Sequence, residues 1–151
     1  MNINITAPIS TIMSTNLKTV LGRDSIAKAK EIFDNHKIHH LPVIGFNTVR
    51  GVLSKVDLIT FLRGSLRNRT DDFLEETRLK SWKVDEIMTP NFVALNKNDS
   101  VIKALEIFAS NEVHCILIQE EEQLVGILTP HDIILSLAKK GKRKLKKAKV
   151  A

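Results

Sequence analysis

Two stretches of the chain place apolar residues at helical spacing directly after an Asp-Ser pair. Asp24-Ser25 is followed by Ile26, Ala29, Ile32 and Phe33, and Asp99-Ser100 by Val101, Ala104, Leu105 and Phe108. That spacing predicts two amphipathic helices, with the Asp-Ser pairs as their N-caps. Downstream of each come two short apolar runs around a turn-like segment. HLPVI (40–44), GFNT (45–48) and VRGVL (49–53) form one set; CILIQ (115–119), EEEQ (120–123) and LVGIL (124–128) form the other. Both sets read as β-hairpins, with Pro42 suggesting an edge or strand-start position. A second helix is expected from Ser54 and again from Thr129. A short extended piece, LKTV (17–20) or FVAL (92–95), precedes each first helix. The pattern is β-α-β-β-α, written twice.

The two copies stay in register over their whole length. At an offset of 75, IMSTN (12–16) falls on IMTPN (87–91), DSIAKAKEIF (24–33) on DSVIKALEIF (99–108), His39 on His114, and GVLSKVDL (51–58) on GILTPHDI (126–133). About 14 identities in 47 ungapped positions exceed what a local capping signal used twice would leave. This is an internal duplication, so the fold class is α/β (α+β), built from two copies of one supersecondary unit. The expected division is repeat 1 at 1–63, a connector at 64–83, repeat 2 at 84–138 and a basic, disordered tail at 139–151. In the connector, Phe73, Leu74 and Leu79 are available to pack.

Charge changes the picture at one end. The net charge is +6, yet residues 139–151 hold eight of the 23 Lys and Arg and no acid. Removing them leaves 15 basic against 17 acidic residues, a body of net charge −2. A basic-protein argument for nucleic-acid binding therefore fails for the body and survives for the tail. The single cysteine, Cys115, excludes an intrachain disulfide and points to a reducing, cytoplasmic setting. No run of some 18 apolar residues suggests a membrane span, and the N-terminus lacks the blocks of a signal peptide.

The doubled string Gly-x-x-Ser/Thr-x-x-Asp carries the candidate chemistry. Ser54-x-x-Asp57 and Thr129-x-x-Asp132 have the form of capping boxes with Asp in place of Glu, and Pro130 suits a first helical turn. Folding alone could require them. Two features favour a ligand instead. Gly51 and Gly126 lie inside strands, where glycine marks close approach by another backbone or a ligand. A helix start beside a cleft also suits hydroxyls or anions. Both readings stay open on the residues alone. The chain has no phosphate-binding Gly-rich loop, nucleophile elbow or His-Glu-x-x-His pattern, so no enzyme is expected. His36, His39 and His40 do not have zinc spacing, so no metal is expected.

With IMST and IMTP, HHLPVI and HCILIQ, and GVLSKVDL and GILTPHDI in place, the unit resembles the cystathionine β-synthase (CBS) domain. Two in tandem resemble a Bateman module over about residues 10–138. The resemblance implies two repeats related by pseudo-two-fold symmetry, in a stand-alone regulatory module with no required cofactor. It implies an adenosine-containing ligand (AMP, ADP or ATP, with S-adenosylmethionine as an alternative) in the cleft between the repeats. In the family the Asp accepts hydrogen bonds from both ribose hydroxyls, which Asp57 and Asp132 match. Carried over by position, one site uses Thr129 and Asp132 with Asn16, Lys18, Ile38, His39 and His40. The other uses Ser54 and Asp57 with Asn91, Val93, Val113, His114 and Cys115. The first has more cationic neighbours and is favoured for a phosphorylated ligand. Departures from the family pattern include Lys55 and Val56 between Ser and Asp, and the bulky His40. The resemblance also implies a homodimer acting on an unknown regulated protein. A ligand-free dimerisation scaffold, or attachment to nucleic acid through the tail, is the alternative.

Overall fold

In the computed structural model, residues 4–66 and 72–150 are described, so 67–71 of the expected connector lie outside them. The chain divides into two compact units, Lys18–Phe92 and Met1–Leu17 with Val93–Ala151.

In the Lys18–Phe92 unit the elements are β1 (Val20–Leu21), α1 (Ile26–Asn35), β2 (His40–Gly45), β3 (Thr48–Ser54), α2 (Lys55–Leu66) and α3 (Asp72–Ser81). The other unit holds β4 (Val93–Asn96), α4 (Val101–Ala109), β5 (Ile116–Glu120), β6 (Gln123–Leu128) and α5 (Pro130–Val150). Each sheet has three strands, in order β1-β2-β3 or β4-β5-β6. The first pair is parallel and the hairpin pair antiparallel. The expected β-α-β-β-α unit is thus present twice, in a mixed α+β fold.

The cores repeat with the sequence. Val20, Ala29, Leu41, Val43, Leu53 and Leu58 are buried in one unit, and their counterparts 75 residues on, Leu95, Ala104, Ile116, Ile118, Leu128 and Ile133, in the other. One pair changes places. Ile9, in the leading segment of repeat 1, is fully buried in the core built on the rest of repeat 2, whereas Val84, in the leading segment of repeat 2, is buried in the core built on the rest of repeat 1. Backbone bonds make the same exchange. The Ile9 N–H donates to the Asp99 carbonyl (2.8 Å) and the Val84 N–H to that of Asp24 (2.9 Å). Each sheet is therefore completed by the segment that leads the other repeat, a crossing that simple tandem repetition does not suggest.

That crossing accounts for the strand glycines. A Cβ on Gly51 would stand 2.5 Å from the Thr89 carbonyl oxygen, and one on Gly126 2.6 Å from Met13 Sδ. What approaches them is this chain's own leading segment, so the glycines do not argue for a ligand. Pro42 lies within the middle strand rather than at a strand start, opposite Val52. The Val52 N–H and carbonyl exchange bonds with Thr89, which turns them away from β2, so Pro42 has no hydrogen bond to supply to β3. Its other side precedes the first residue paired with β1, Val43. Proline is locally at an edge there.

Two helices differ from the pattern reading. Of the connector residues, Leu79 packs against the core, while Phe73 and Leu74 are exposed. Residues 139–150 stay helical as the continuation of α5 rather than becoming disordered. Lys, Arg, Leu and Ala are all good helix formers, and no proline follows Pro130.

Candidate functional site

The two helix starts are built alike. In one unit, Asp57 Oδ2 accepts from the Ser54 N–H (2.8 Å) and the Ser54 hydroxyl (2.7 Å), while Ser54 Oγ accepts from the Asp57 N–H (3.0 Å). In the other, Asp132 Oδ2 accepts from the Thr129 N–H (2.8 Å) and the Thr129 hydroxyl (2.8 Å). The bonds are reciprocal at Ser54 and Asp57, whereas the Asp132 N–H donates to the Thr129 carbonyl (3.1 Å); both arrangements set the carboxylate against the positive end of a helix. Both acids are half-buried. A carboxylate held this way is an acceptor, suited to hydroxyl groups.

The second oxygens differ. Asp132 Oδ1 accepts from the Ser14 hydroxyl at 2.8 Å. Ser14 is held there by two backbone bonds with Ile127, of 2.9 and 3.0 Å. Thr89 occupies the corresponding place in the other unit and pairs with Val52 through two bonds of 2.9 Å. Among the described residues, the hydrogen bonds to Asp57 all fall on Oδ2. The role of Ser14 escaped the sequence reading, although the doubled IMST/IMTP string was its signal.

The middle strands supply the other neighbours. His40 begins β2 directly opposite Ser54, and the His39 carbonyl accepts from the Lys55 N–H (2.8 Å). Pro130 replaces Lys55 in the second copy and has no N–H to offer His114 in the same way. Cys115 lies within electrostatic reach of Asp132; burial first, and then that charge, push its thiol up to about 12. It is an inert thiol at neutral pH.

The expected site sets divide between the units. Of the first, Asn16, Thr129 and Asp132 belong to one unit, and Lys18, Ile38, His39 and His40 to the other. Of the second, Ser54, Asp57 and Asn91 belong to the Lys18–Phe92 unit, and Val93, Val113, His114 and Cys115 to its counterpart. Asn16, His39, Asn91 and His114 are exposed. Ile38, Val93 and Val113 are half-buried against the cores. Within single units, the structure sets His40 opposite Ser54, His39 against Lys55, and Cys115 near Asp132.

An open groove of about 510 Å³ lies instead at the far end of the first hairpin, lined by Arg23, Asn47, Arg50 and Asp85 among others. It contains none of the candidate residues. No group of three or more His, Cys, Asp or Glu among the described residues is arranged to hold a metal ion. No helix among the described residues is long and apolar enough to cross a membrane.

Comparison with known proteins bears on this arrangement. The profile of the CBS domain matches residues 9–64 and 84–139. An uncharacterized protein of Methanocaldococcus jannaschii is 30% identical over 128 residues, 81% of this chain and 46% of its own length. The chain thus spans about half of that relative. Among solved structures, CBSX2 in complex with AMP superposes with a TM-score of 0.71 at 23% identity, covering 89% of this chain and 98% of its own. The CBS domain pair of protein MJ0100, in complex with 5′-methylthioadenosine and S-adenosyl-L-methionine, gives a TM-score of 0.70 at 20% identity, covering 89% and 98%. At these identities the structures establish a shared fold.

Proposed function

Since the chain belongs to the CBS domain family, present in two tandem copies, we propose that it is a non-catalytic regulatory module that binds an adenosine-containing ligand of the AMP, ADP or ATP class. The observation that carries this reading is the pair of half-buried, helix-start carboxylates, Asp57 and Asp132. Each is held by its own cap as an acceptor of hydroxyl groups, the chemistry needed to read a ribose diol. The ligands named for the two similar structures support the adenosine class and keep S-adenosylmethionine within range.

On this proposal Ser54, Asp57, Thr129 and Asp132 contact the ribose. Asn16, Lys18, Ile38, His39 and His40, and Asn91, Val93, Val113, His114 and Cys115, supply the remaining ligand contacts. No cofactor is required. Regulation demands that the ligand prefer one of two arrangements of the protein, because a ligand that binds both equally shifts nothing. The setting is cytoplasmic. The active form is a homodimer that acts on a regulated protein.

A thermal-shift titration tests the ligand class. A ligand at a hundred times its Kd adds about 2.7 kcal/mol of stability, so AMP or ATP should raise Tm in a saturable manner while guanosine nucleotides do not. Indifference to all adenosine compounds would leave the capping boxes as folding devices and the protein as a scaffold.

A second reading is favoured by one observation. α5 continues to Val150, and its Lys139, Lys140, Lys142, Arg143 and Lys147 are exposed. A basic helix of this kind can attach to nucleic acid by counterion release, without base specificity. Truncation after Leu137 is the test. Duplex-DNA affinity that disappears together with its salt dependence supports attachment through the helix, and unchanged affinity rejects it.

A further inference from the structure

We infer that Ser14 is a built-in competitor for Asp132, so that the two ribose-reading positions are unequal and Asp57 is the one that engages a diol first. This rests on the ribose reading proposed above and adds an order and a cause to it.

A ribose diol offers two hydroxyl donors, each carboxylate oxygen accepts two, and the cap already fills Oδ2 at both aspartates, so a diol needs both places on Oδ1. At Asp132, Oδ2 already accepts from the Thr129 N–H and hydroxyl, and Oδ1 accepts from the Ser14 hydroxyl at 2.8 Å. The Ser14 hydroxyl therefore stands where a ligand hydroxyl would donate. It is not loosely placed, since the Ser14 backbone is fixed to Ile127 by a bond in each direction. Gly126 lets that segment lie close to β6, with the Ser14 carbonyl oxygen 3.3 Å from where a Cβ would be.

The other copy has the same backbone and a different outcome. Thr89 pairs with Val52 as Ser14 does with Ile127. The hydrogen bonds to Asp57 among the described residues are confined to Oδ2, so Oδ1 faces no such competitor. The sequence difference is small, Ser14-Thr15 against Thr89-Pro90. A proline restricts the residue before it, and Thr is stiffer at χ1 than Ser.

Ligand binding at Asp132 must first displace Ser14. Its hydroxyl then turns to water, so the cost is the modest net value of a charge-assisted hydrogen bond. In affinity this amounts to roughly ten- to a hundredfold. The favouring of the Asp132 set for a phosphorylated ligand, argued above from nearby cationic residues, is reversed as far as the ribose is concerned.

The test is calorimetric titration of the full chain with AMP and with 2′-deoxy-AMP, using wild type, Asp57→Ala, Ser14→Ala and the double variant Ser14→Ala/Asp57→Ala. Circular dichroism melts establish that each is folded. Asp57→Ala should retain only the weaker binding. Adding Ser14→Ala should tighten AMP by roughly ten- to a hundredfold and enlarge the preference for AMP over 2′-deoxy-AMP, a change that a merely structural role for Ser14 would not produce. Equal AMP affinity in Asp57→Ala with and without Ser14 overturns the inference while leaving the ribose reading intact. Absence of AMP binding in folded wild type overturns both.

Discussion

Aspartate recurs in this chain in two different jobs, and the sequence separates them only in part. Asp24 and Asp99 precede helices and read as N-caps, yet Ser25 is the residue that caps α1, accepting from the Lys28 N–H. Asp24 instead reaches back to the Leu21 N–H and to Lys28, and Asp99 to the Asn96 N–H and Lys103. Burial opposes the charge on Asp24, but the Leu21 N–H and Lys28 outweigh it and hold the carboxyl below its ordinary range. For Asp99 the Asn96 N–H leads and Lys103 follows, with the same direction. A depressed native pKa means that the stabilisation is complete above the ordinary carboxylate value of about 3.9 and is lost as pH falls through the native value. Asp99→Asn should therefore lower Tm at pH 7, with the gap to wild type closing as pH falls through the depressed native value. A gap that persists unchanged into acid would refute the charged bond. Asp57 and Asp132 were legible as helix-start acids because Ser/Thr-x-x-Asp is a local signal. The Ser14 bond was not, because it joins residues 118 positions apart.

At the scale of elements, periodicity located the helices and hairpins, since burial on one face is written directly into spacing. Turn strain was less visible. The first hairpin turns at Phe46 and Asn47 and the second at Glu121 and Glu122, all with positive φ. That geometry matches two-residue hairpin loops, which favour Asn-Gly. Glu122, at φ 65°, has neither a glycine's freedom nor an Asn's tolerance of the left-handed region. Glu122→Gly should stabilise the chain by about 1 kcal/mol, read as a higher urea midpoint at unchanged slope. The strand glycines predict the opposite sign. Gly51→Ala would press a methyl group against the Thr89 carbonyl oxygen, a backbone atom that cannot swing aside. A loss of at least about 1–3 kcal/mol is expected from overpacking, and an unchanged urea midpoint would contradict the close crossing. The glycines were conspicuous in the sequence, but their neighbours were not, because residues 87–90 meet β3 only through the exchanged segment.

At the scale of the whole molecule, duplication was the most legible feature, and the exchange of leading segments the least. A 75-residue repeat invites each copy to be read as self-contained, whereas Ile9 and Val84 each complete the core built on the other copy. Val84→Ala should accordingly unsettle repeat 1 rather than repeat 2. Hydrogen exchange should show faster opening of α1 and β2, with α4 and β5 protected as before. The proposed homodimer rests on apolar residues left at the surface of α2 and α5, namely Val56, Ile59, Ile134 and Leu135. Leu58 and Ile133, on the same two helices, are buried in their own units. Sedimentation at tens of micromolar should give a dimer, and Ile134→Lys should give monomers that remain folded. A wild-type monomer at that concentration would reject the pairing.

The central claim is that the doubled Ser/Thr-x-x-Asp string both starts a helix and reads a ribose. Its most direct test is calorimetric titration with AMP, ATP and S-adenosylmethionine of wild type, Asp57→Ala and Asp132→Ala. The account predicts saturable binding of at least one ligand to wild type. It predicts loss of a site in each variant, with a stability cost of only about 1 kcal/mol from the weakened cap. Variants that are merely less stable, beside a wild type silent toward every ligand, would contradict it.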